Sequence, residues 1–416
     1  MQIKTLLNRV EKHKGFVYDR VRLAGTQGNP RLVVDIRARA NSKPVCSKCE
    51  QPGPCHDHLR VRHFQYVPLW GFRVMFAYCM RRVDCSRCGV KVETVPWAMG
   101  KSPTTTTYAW FLANWAKRMS WKEVADTFST TWDTVFRAVS LAVAWGLENR
   151  DLKGIRAIGV DEVLWHRGHK YLTVVYQIDG HCRRLLWVGR DRTTETLETF
   201  FNEFGLRARW LRWVCSDMWK PYLSVISRRA KNAVHVLDRF HIVAKMNKAI
   251  DEVRAGEARQ MKSEGYEPVL KHSRWCLLKR PENLTDNQRT KLRDLVRYNL
   301  RTVKAYLLKE DLQQLWDEPS AHKADTFIKN WTFQAMRSRI EPVKKIARML
   351  RRHKPLILNW FSARGMISAG PTEGMNNKLK VVTRRAYGLR TFKATQVALY
   401  HSLGALPVPK LAHKFF

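Results

Sequence analysis

The order of apolar runs between residues 154 and 237 limits the folds open to this chain more than any other feature. Three runs rich in β-branched and aromatic residues come first, and Asp179-Gly180, a tight-turn dipeptide, joins the last two. A helical pattern, a strand at 210–215, a second helical pattern and a short strand at 233–237 follow. We therefore expect a mixed α/β domain in which three antiparallel strands precede alternating helices and strands.

Acidic residues follow two of these strands, and a third acidic residue lies far along the chain. Asp161 closes the first strand, Asp217 follows the fourth, and Glu373 opens a basic helical stretch. The element order is that of a ribonuclease H-like domain, in which the first and fourth strands lie side by side. By analogy with that fold, we expect Asp161 to bridge two Mg²⁺ (or Mn²⁺) ions, with Asp217 and Glu373 each completing one side. Such a site would cleave phosphodiesters.

Two further residues near the fifth strand have less certain roles from sequence. Asp238 is expected to cap the helix that follows it. His241 is either a contact to the site or substrate, or a structural histidine, and the pattern leaves both open.

The chain carries a large excess of positive charge. Its 416 residues contain 75 Lys and Arg against 36 Asp and Glu, which gives a formal net charge of +39. Basic side chains that neutralise phosphates release counterions, so a polyanion is the natural partner, and a ribosome- or membrane-associated basic protein is the alternative. No apolar run approaches the roughly 18 residues of a membrane-spanning helix, and no signal-peptide core is present. We therefore expect a soluble, cytoplasmic protein with no membrane partner.

Six of the nine cysteines are concentrated between residues 46 and 88. Two Cys-x-x-Cys pairs can each offer two thiolates to a tetrahedral ion, so we expect a structural Zn²⁺ site with these ligands: Cys46, Cys49, Cys85 and Cys88. The stretch between the pairs is longer than the compact spacing of about 15 to 20 residues, and it indicates two strands turning at Gly71. Buried apolar cysteines are the alternative, and further candidate ligands lie between the pairs: Cys55, His56, His58 and Cys79.

Helical patterns fill residues 101–150. Ser120 and Glu123 have the spacing of a capping box, and Ser129 or Thr130 can cap the next helix. Two short helices across a polar turn are typical of a helix-turn-helix, with a plain three-helix unit as the alternative. Its second helix would bring the following side chains to the DNA major groove: Trp132, Thr134 and Arg137.

Residues 242–365 indicate successive basic amphipathic helices, which we interpret as a helical insertion before the Glu373 helix. The tryptophans of this insertion could either stack on bases or pack in its core. They are Trp275, Trp316, Trp331 and Trp360. A cationic run follows Glu373, and phosphate contact or a solvated helix face are the two interpretations of its members: Lys378, Lys380, Arg384 and Arg385.

Several motifs together resemble the DDE transposases of bacterial insertion sequences, specifically the IS-L-three (ISL3) family. The resemblance covers nearly the whole chain and rests on these segments: 95–98, 132–135, 158–162, 238–241, 373–378 and 384–388. It implies an enzyme that binds the terminal inverted repeats of its element, cuts DNA at the ends and joins them to target DNA. Double-stranded DNA is the implied partner, with assembly as a homodimer on the DNA ends, associated with the bacterial nucleoid.

The resulting expectation is a multidomain α/β protein of five segments. They are an N-terminal zinc-binding module at 1–98, a helix-turn-helix at 101–150, the first part of a ribonuclease H-like catalytic domain at 151–241, the helical insertion at 242–365, and the Glu373 helix with a basic tail at 366–416. Two alternatives differ in function. A transposase-derived zinc and helix-turn-helix regulator without strand cleavage predicts decay of the acidic residues, and an RNA-cleaving ribonuclease would not need a sequence-reading N-terminal half.

Overall fold

The structure is a computed structural model that describes residues 2–166, 170–267, 269–363, 370–386 and 389–409. The chain divides into two compact units, one of Met1–Asp151 with Val381–Phe416 and the other of Leu152–Lys380. Parts of the predicted segments fall outside the described residues: 1, 167–169, 268, 364–369, Tyr387-Gly388 of the basic motif, and 410–416 of the basic tail.

The first unit begins with a helix and a five-stranded sheet. Its elements are α1 (Ile3–Val10), β1 (Phe16–Thr26), β2 (Asn29–Ala38), β3 (Cys55–Leu69), β4 (Phe72–Cys85) and β5 (Gly89–Val92). The strand order is β1-β2-β4-β3, with β5 paired to β4, and only the β2–β4 pair is parallel. The expected turn at Gly71 is confirmed: its φ of +81° suits a residue without a Cβ. This hairpin brings the two cysteine pairs together.

Helices complete the first unit. They are α2 (Thr106–Trp115), α3 (Trp121–Thr127), α4 (Trp132–Asn149) and, from the C-terminal region, α14 (Phe392–Leu403). The capping box of Ser120 and Glu123 at the start of α3 is confirmed. The expected cap of α4 was wrong by one residue, because Thr131 rather than Ser129 or Thr130 accepts the hydrogen bond from the backbone N–H of Thr134.

The second unit is built on a sheet of five strands in the order β10-β9-β6-β7-β8. The strands are β6 (Ala157–His166), β7 (Lys170–Asp179), β8 (Cys182–Arg190), β9 (Trp213–Ser216) and β10 (Val234–Leu237). The first three are antiparallel, whereas β9 runs parallel to β6 and β10 parallel to β9. The expected adjacency of the first and fourth strands is therefore confirmed.

Two helices connect strands of this sheet along the chain, and a series of helices follows the last strand. These helices are α5 (Thr194–Phe204), α6 (Lys220–Arg229), α7 (Arg239–Ser263), α8 (Arg274–Leu278), α9 (Asp286–Val296), α10 (Arg301–Gln313), α11 (Ala321–Arg337), α12 (Glu341–Ser362) and α13 (Gly370–Arg385). Trp331 is buried, and its indole N–H donates to the Leu308 carbonyl. Trp316 is also buried, against Trp360 and Phe361, so packing explains these two tryptophans, while Trp275 is exposed.

No helix in the described part of the chain is long and apolar enough to span a bilayer.

Candidate active site and metal centre

The sheet of the second unit places Asp161 and Asp217 at adjacent positions. Val160 in β6 pairs with Ser216 in β9, and each aspartate is the next residue along its own chain segment. The expectation that Asp161 closes its strand is wrong, because β6 continues to His166. The pairing of β6 with β9 does end at Val160 and Ser216, so the two aspartates follow it at the same end. Asp161 is buried and Asp217 is half-buried. Strand pairing alone therefore explains how residues far apart in sequence come together.

Hydrogen bonds fix the orientation of both carboxylates. Oδ1 of Asp161 accepts from the backbone N–H of Glu162 at 2.8 Å, and Oδ2 accepts from Nδ2 of Asn376 at 2.5 Å. Oδ1 of Asp217 accepts from the backbone N–H of Trp219 at 2.9 Å. Each carboxylate keeps lone pairs for other partners, since an ionised carboxylate has about four acceptor positions.

Burial dominates the electrostatics of the two aspartates. It raises the pKa of both carboxyls above the ordinary value, because water solvates the charged form less well. The charge of Asp161 adds to the rise in pKa at Asp217, while backbone N–H donors and His241 oppose the rise at both. Two neighbouring carboxylates that water solvates poorly repel each other when both are charged. A bound cation would stabilise their charged forms.

Asp238 and His241 lie beside this pair. Asp238 caps α7 as expected, since its carboxylate accepts from the backbone N–H of Phe240 at 2.8 Å. Nε2 of His241 lies 4.0 Å from Oδ1 of Asp161 and 3.8 Å from Oδ2 of Asp238. Of the two roles left open by the sequence, the geometry favours a side chain that faces the acidic site.

Glu373 lies near the two aspartates but does not complete a group of three metal ligands with them. It lies in the first turn of α13, is exposed, and its charge contributes to raising the pKa of Asp238. Together with Asp238 it lines a cavity of about 530 Å³. Among the described residues, its carboxylate does not form with Asp161 and Asp217 a group whose ligand atoms all lie within 4.8 Å of one another.

Sequence reasoning gave no role to an ion pair that borders the site. Glu162 accepts from Nη1 of Arg192 at 3.0 Å, and the charge of Asp217 contributes to raising the pKa of Glu162, after burial. The Arg192 guanidinium lies 3.9 Å from the ring centre of Tyr171 and 4.6 Å from that of Trp219. No sequence motif marks Arg192, because its partners come from three separate segments.

The first unit contains a group of four cysteines suited to a metal ion. The thiols of Cys46, Cys49, Cys85 and Cys88 all lie within 4.8 Å of one another, and those of Cys49 and Cys85 are 3.4 Å apart. Backbone N–H donors of Cys49 and Lys48 lower the pKa of Cys46 to about 7, whereas burial raises that of Cys88 to about 12. Four thiolates at this spacing match a structural zinc site.

The two spare cysteines do not belong to this group. Cys55 and Cys79 are exposed, and their thiols donate instead to the carbonyls of Asp57 and Leu59. The four-cysteine set is thus complete without them.

Of the side chains expected to contact DNA from α4, Trp132 and Arg137 are exposed and Thr134 is half-buried. Trp132 stacks on Phe136, the hydroxyl of Thr134 bonds that of Thr131, and Arg137 forms an ion pair with Asp133 one turn earlier. Such exposed pairs contribute only about 0.3–0.5 kcal/mol on a helix, so the Arg137 guanidinium can exchange its partner.

The cations of α13 differ in their surroundings. Lys378, Lys380 and Arg384 are exposed. Arg385 is half-buried, and its Nη1 donates to the carbonyls of Lys117 and Arg118 at 3.1 and 3.3 Å. Arg385 therefore has a structural role within the first unit, whatever contact it makes with DNA.

Known proteins identify the family to which these features belong. The model of the ISL3 DDE transposase family, described as "Transposase", matches residues 158–399, a range that includes all three candidate catalytic acids. The chain belongs to the ISL3 family of transposases. It is an enzyme of the class that cleaves and joins DNA, and DDE transposases use divalent metal ions.

Relatives match along most of the chain. A transposase for insertion sequence element IS1001 from Bordetella parapertussis is 30% identical over 370 residues, covering 87% of this chain and 89% of that protein. A transposase for IS1557 from Mycobacterium tuberculosis is 28% identical over 393 residues, covering 88% and 86%. Among solved structures, the Drosophila P element transposase strand transfer complex has a TM-score of 0.39 and 7% identity, over 71% of this chain and 91% of that chain.

Proposed function

We propose that this ISL3 transposase binds the terminal inverted repeats of an insertion sequence, cleaves DNA at the element ends and joins them to target DNA by two-metal-ion chemistry. Asp161, Asp217 and Glu373 are the catalytic residues and the metal ligands. The observation that carries this proposal is the pairing of β6 with β9, which sets two poorly solvated carboxylates side by side. The strand order of this sheet is also the order expected of a ribonuclease H-like domain.

Two Mg²⁺ (or Mn²⁺) ions at this site would activate a water or a 3′-hydroxyl and stabilise the leaving oxygen. Asp161, central and held by two hydrogen bonds, is the residue suited to contact both ions, and Asp217 serves one of them. Among the described residues, the three carboxylates do not yet form one group whose ligand atoms all lie within 4.8 Å of one another, and Glu373 is exposed. We infer that its carboxylate joins Asp161 and Asp217 when cations and DNA bind, because the helix that bears it is already tied to β6 through Asn376.

Recognition of the DNA ends is assigned to the first unit. Helices α3 and α4 form the helix-turn-helix, and Trp132, Thr134 and Arg137 reach the base edges. Phosphates are contacted by the cations of α13: Lys378, Lys380, Arg384 and Arg385. The five-segment domain organisation, a homodimer assembled on paired ends and association with the nucleoid are part of the same proposal.

The four cysteines hold one structural Zn²⁺ in the N-terminal module. Their thiol group joins the end of β4 to the loop before β3, so a bound ion would cross-link the part of the first unit that precedes the helix-turn-helix.

Selection from a pool of random duplexes tests the proposal, because it identifies the end sequence before any cleavage is measured. DNA carrying two copies of the selected sequence should be cut at the outer boundaries in Mg²⁺, and the ends should be joined to a second DNA. The alternative is a transposase-derived regulator, which would bind the selected duplex and leave it intact at every Mg²⁺ concentration.

A further inference from the structure

A partly buried chain of hydrogen bonds joins three elements at the proposed catalytic site. Oη of Tyr176 in β7 donates to Oδ1 of Asn376 in α13 at 2.9 Å, and Nδ2 of Asn376 donates to Oδ2 of Asp161 in β6 at 2.5 Å. Asn376 and Asp161 are 215 positions apart in the sequence. A single amide therefore links the Glu373 helix to the central carboxylate.

The direction of this chain is determined by Tyr176. Its side chain is completely buried, and burial raises the pKa of the phenol, so Oη stays protonated and acts as a donor. Oδ1 of Asn376 must then accept, which leaves Nδ2 facing Asp161. The opposite orientation of the amide would place its oxygen against a carboxylate oxygen.

Asn376 orients Asp161 without blocking it. Among the described residues, Oδ1 of Asp161 accepts from one donor, the backbone N–H of Glu162, and Oδ2 accepts from one donor, Nδ2 of Asn376. A carboxylate oxygen has room for about two donors or ligands, so each keeps a free position. Carboxylates that bind metal ions are commonly held in this way, and loss of the supporting group typically costs about 10–100-fold in metal affinity or activity.

The same helix also packs closely on β6 at a second point. A Cβ built on Gly159 would lie 2.5 Å from Oγ1 of Thr372, so a larger residue at position 159 would force Thr372 or the helix to shift. Asn376 lies three residues after Glu373, on the same helical face. The bond from Asn376 to Asp161 thus sets the rotation of the face that presents Glu373.

We propose that Asn376 is a positioning residue of the transposition reaction. It holds the Asp161 carboxylate for metal binding and fixes the rotation of α13, and Tyr176 keeps its amide in the productive orientation. This role rests on the proposed function of Asp161 as a metal ligand.

The test compares Asn376→Ala with Asn377→Ala, the exposed neighbour on the same helix. We expect Asn376→Ala to raise the Mg²⁺ concentration for half-maximal DNA cleavage by about 10–100-fold, with recovery of cleavage at high Mg²⁺. Asn377→Ala should keep the wild-type Mg²⁺ dependence. A merely structural role would lower Tm and end binding in Asn376→Ala and leave the half-maximal Mg²⁺ concentration unchanged, which would overturn the proposal.

Tyr176→Phe provides a second variant that keeps the buried ring. It removes the donor that orients the amide, so the half-maximal Mg²⁺ concentration should rise, by less than in Asn376→Ala. This variant decides the matter if Asn376→Ala does not fold, and wild-type Mg²⁺ dependence in it would then overturn the proposal. Calorimetric titration of Mn²⁺ into the DNA-free protein should rank the three proteins in the same order. Wild type should bind most tightly, Tyr176→Phe less tightly and Asn376→Ala least tightly.

Failure of this inference can be told apart from failure of the proposed function. If Asp161→Asn still cleaves DNA, the assignment of the metal ligands is wrong. If Asp161→Asn is inactive and both Asn376→Ala and Tyr176→Phe show wild-type Mg²⁺ dependence, only the role of Asn376 is wrong.

Discussion

Nε2 of His235 in β10 lies 2.8 Å from Oγ of Ser216, the last residue of the adjacent strand β9 and the residue directly before Asp217. The imidazole is buried, and burial lowers the pKa of His235 from 6.5 to about 4. The folded protein therefore keeps this side chain neutral at a pH where the unfolded chain protonates it.

This difference predicts a loss of stability in mild acid. Between pH 6.5 and about 4 the unfolded state binds the proton and the folded state does not, so the free energy of unfolding falls as pH decreases through that window. From the two pKa values, the loss at pH 5 relative to neutral pH is about 2 kcal/mol. Urea unfolding of wild type and His235→Gln at pH 7 and pH 5 measures it.

The substituted protein should lose about 2 kcal/mol less between the two pH values than wild type does. Some pH dependence will remain, because burial also lowers the pKa of His401 in the first unit to about 3. Equal losses in the two proteins would show that His235 is not held neutral.

The four-cysteine group predicts one Zn²⁺ per chain. Cys85→Ser should lose the ion and destabilise the N-terminal module, because the binding free energy of a structural zinc is part of the folding free energy. Cys79→Ser is the matched control, since Cys79 lies in the same strand but outside the group. Elemental analysis and thermal unfolding provide the measurements, and full zinc content in Cys85→Ser would refute the ligand set.

Arg137 is expected to read a base from the early part of α4. If it contacts a guanine, Arg137→Ala should cost about 1–3 kcal/mol in binding to the specific end and little in binding to random duplex. Its exposed pair with Asp133 adds little to stability, so the protein should fold normally. Fluorescence anisotropy at matched salt gives both affinities, and equal losses on the two DNAs would place sequence recognition elsewhere.

Lys380 and Arg384 are expected to bind phosphates, which carry no sequence information. Lys380→Ala or Arg384→Ala should weaken specific and random duplexes alike, and each should lower the slope of log affinity against log salt by about one unit. An unchanged slope would show that the substituted residue of α13 faces solvent and does not contact phosphate. Arg385→Ala should differ from both by lowering Tm, because Arg385 bonds two backbone carbonyls in the first unit.

Much of the second unit could be predicted because it follows from local patterns. Strand order and the parallel pairing of β6 with β9 bring Asp161 and Asp217 together whatever their side chains do. The meeting of the two cysteine pairs could be predicted in the same way, because a hairpin that turns at Gly71 brings one pair back to the other. These features depend on backbone pairing. Alternating apolar and polar residues, together with turn residues, indicate such pairing in a sequence.

The remaining features depend on how helices rotate against the sheet. The exposure of Glu373 and the bond from Asn376 to Asp161 are set by the rotation of α13, which follows from contacts such as that of Thr372 with Gly159. Arg192 is placed by Glu162, Tyr171 and Trp219 together. Contacts between distant segments of this kind leave no periodic signal in the sequence.

The most direct test of the catalytic assignment is cleavage and strand transfer on the selected end DNA by three variants: Asp161→Asn, Asp217→Asn and Glu373→Gln. Each variant should abolish both reactions in Mg²⁺ and keep end binding, because each removes one proposed metal ligand and leaves the proposed helix-turn-helix unchanged. Glu195→Gln, an exposed acid in the same unit, should react as wild type does. Substantial strand transfer by any one of the three variants would contradict the assignment of that residue to the catalytic site.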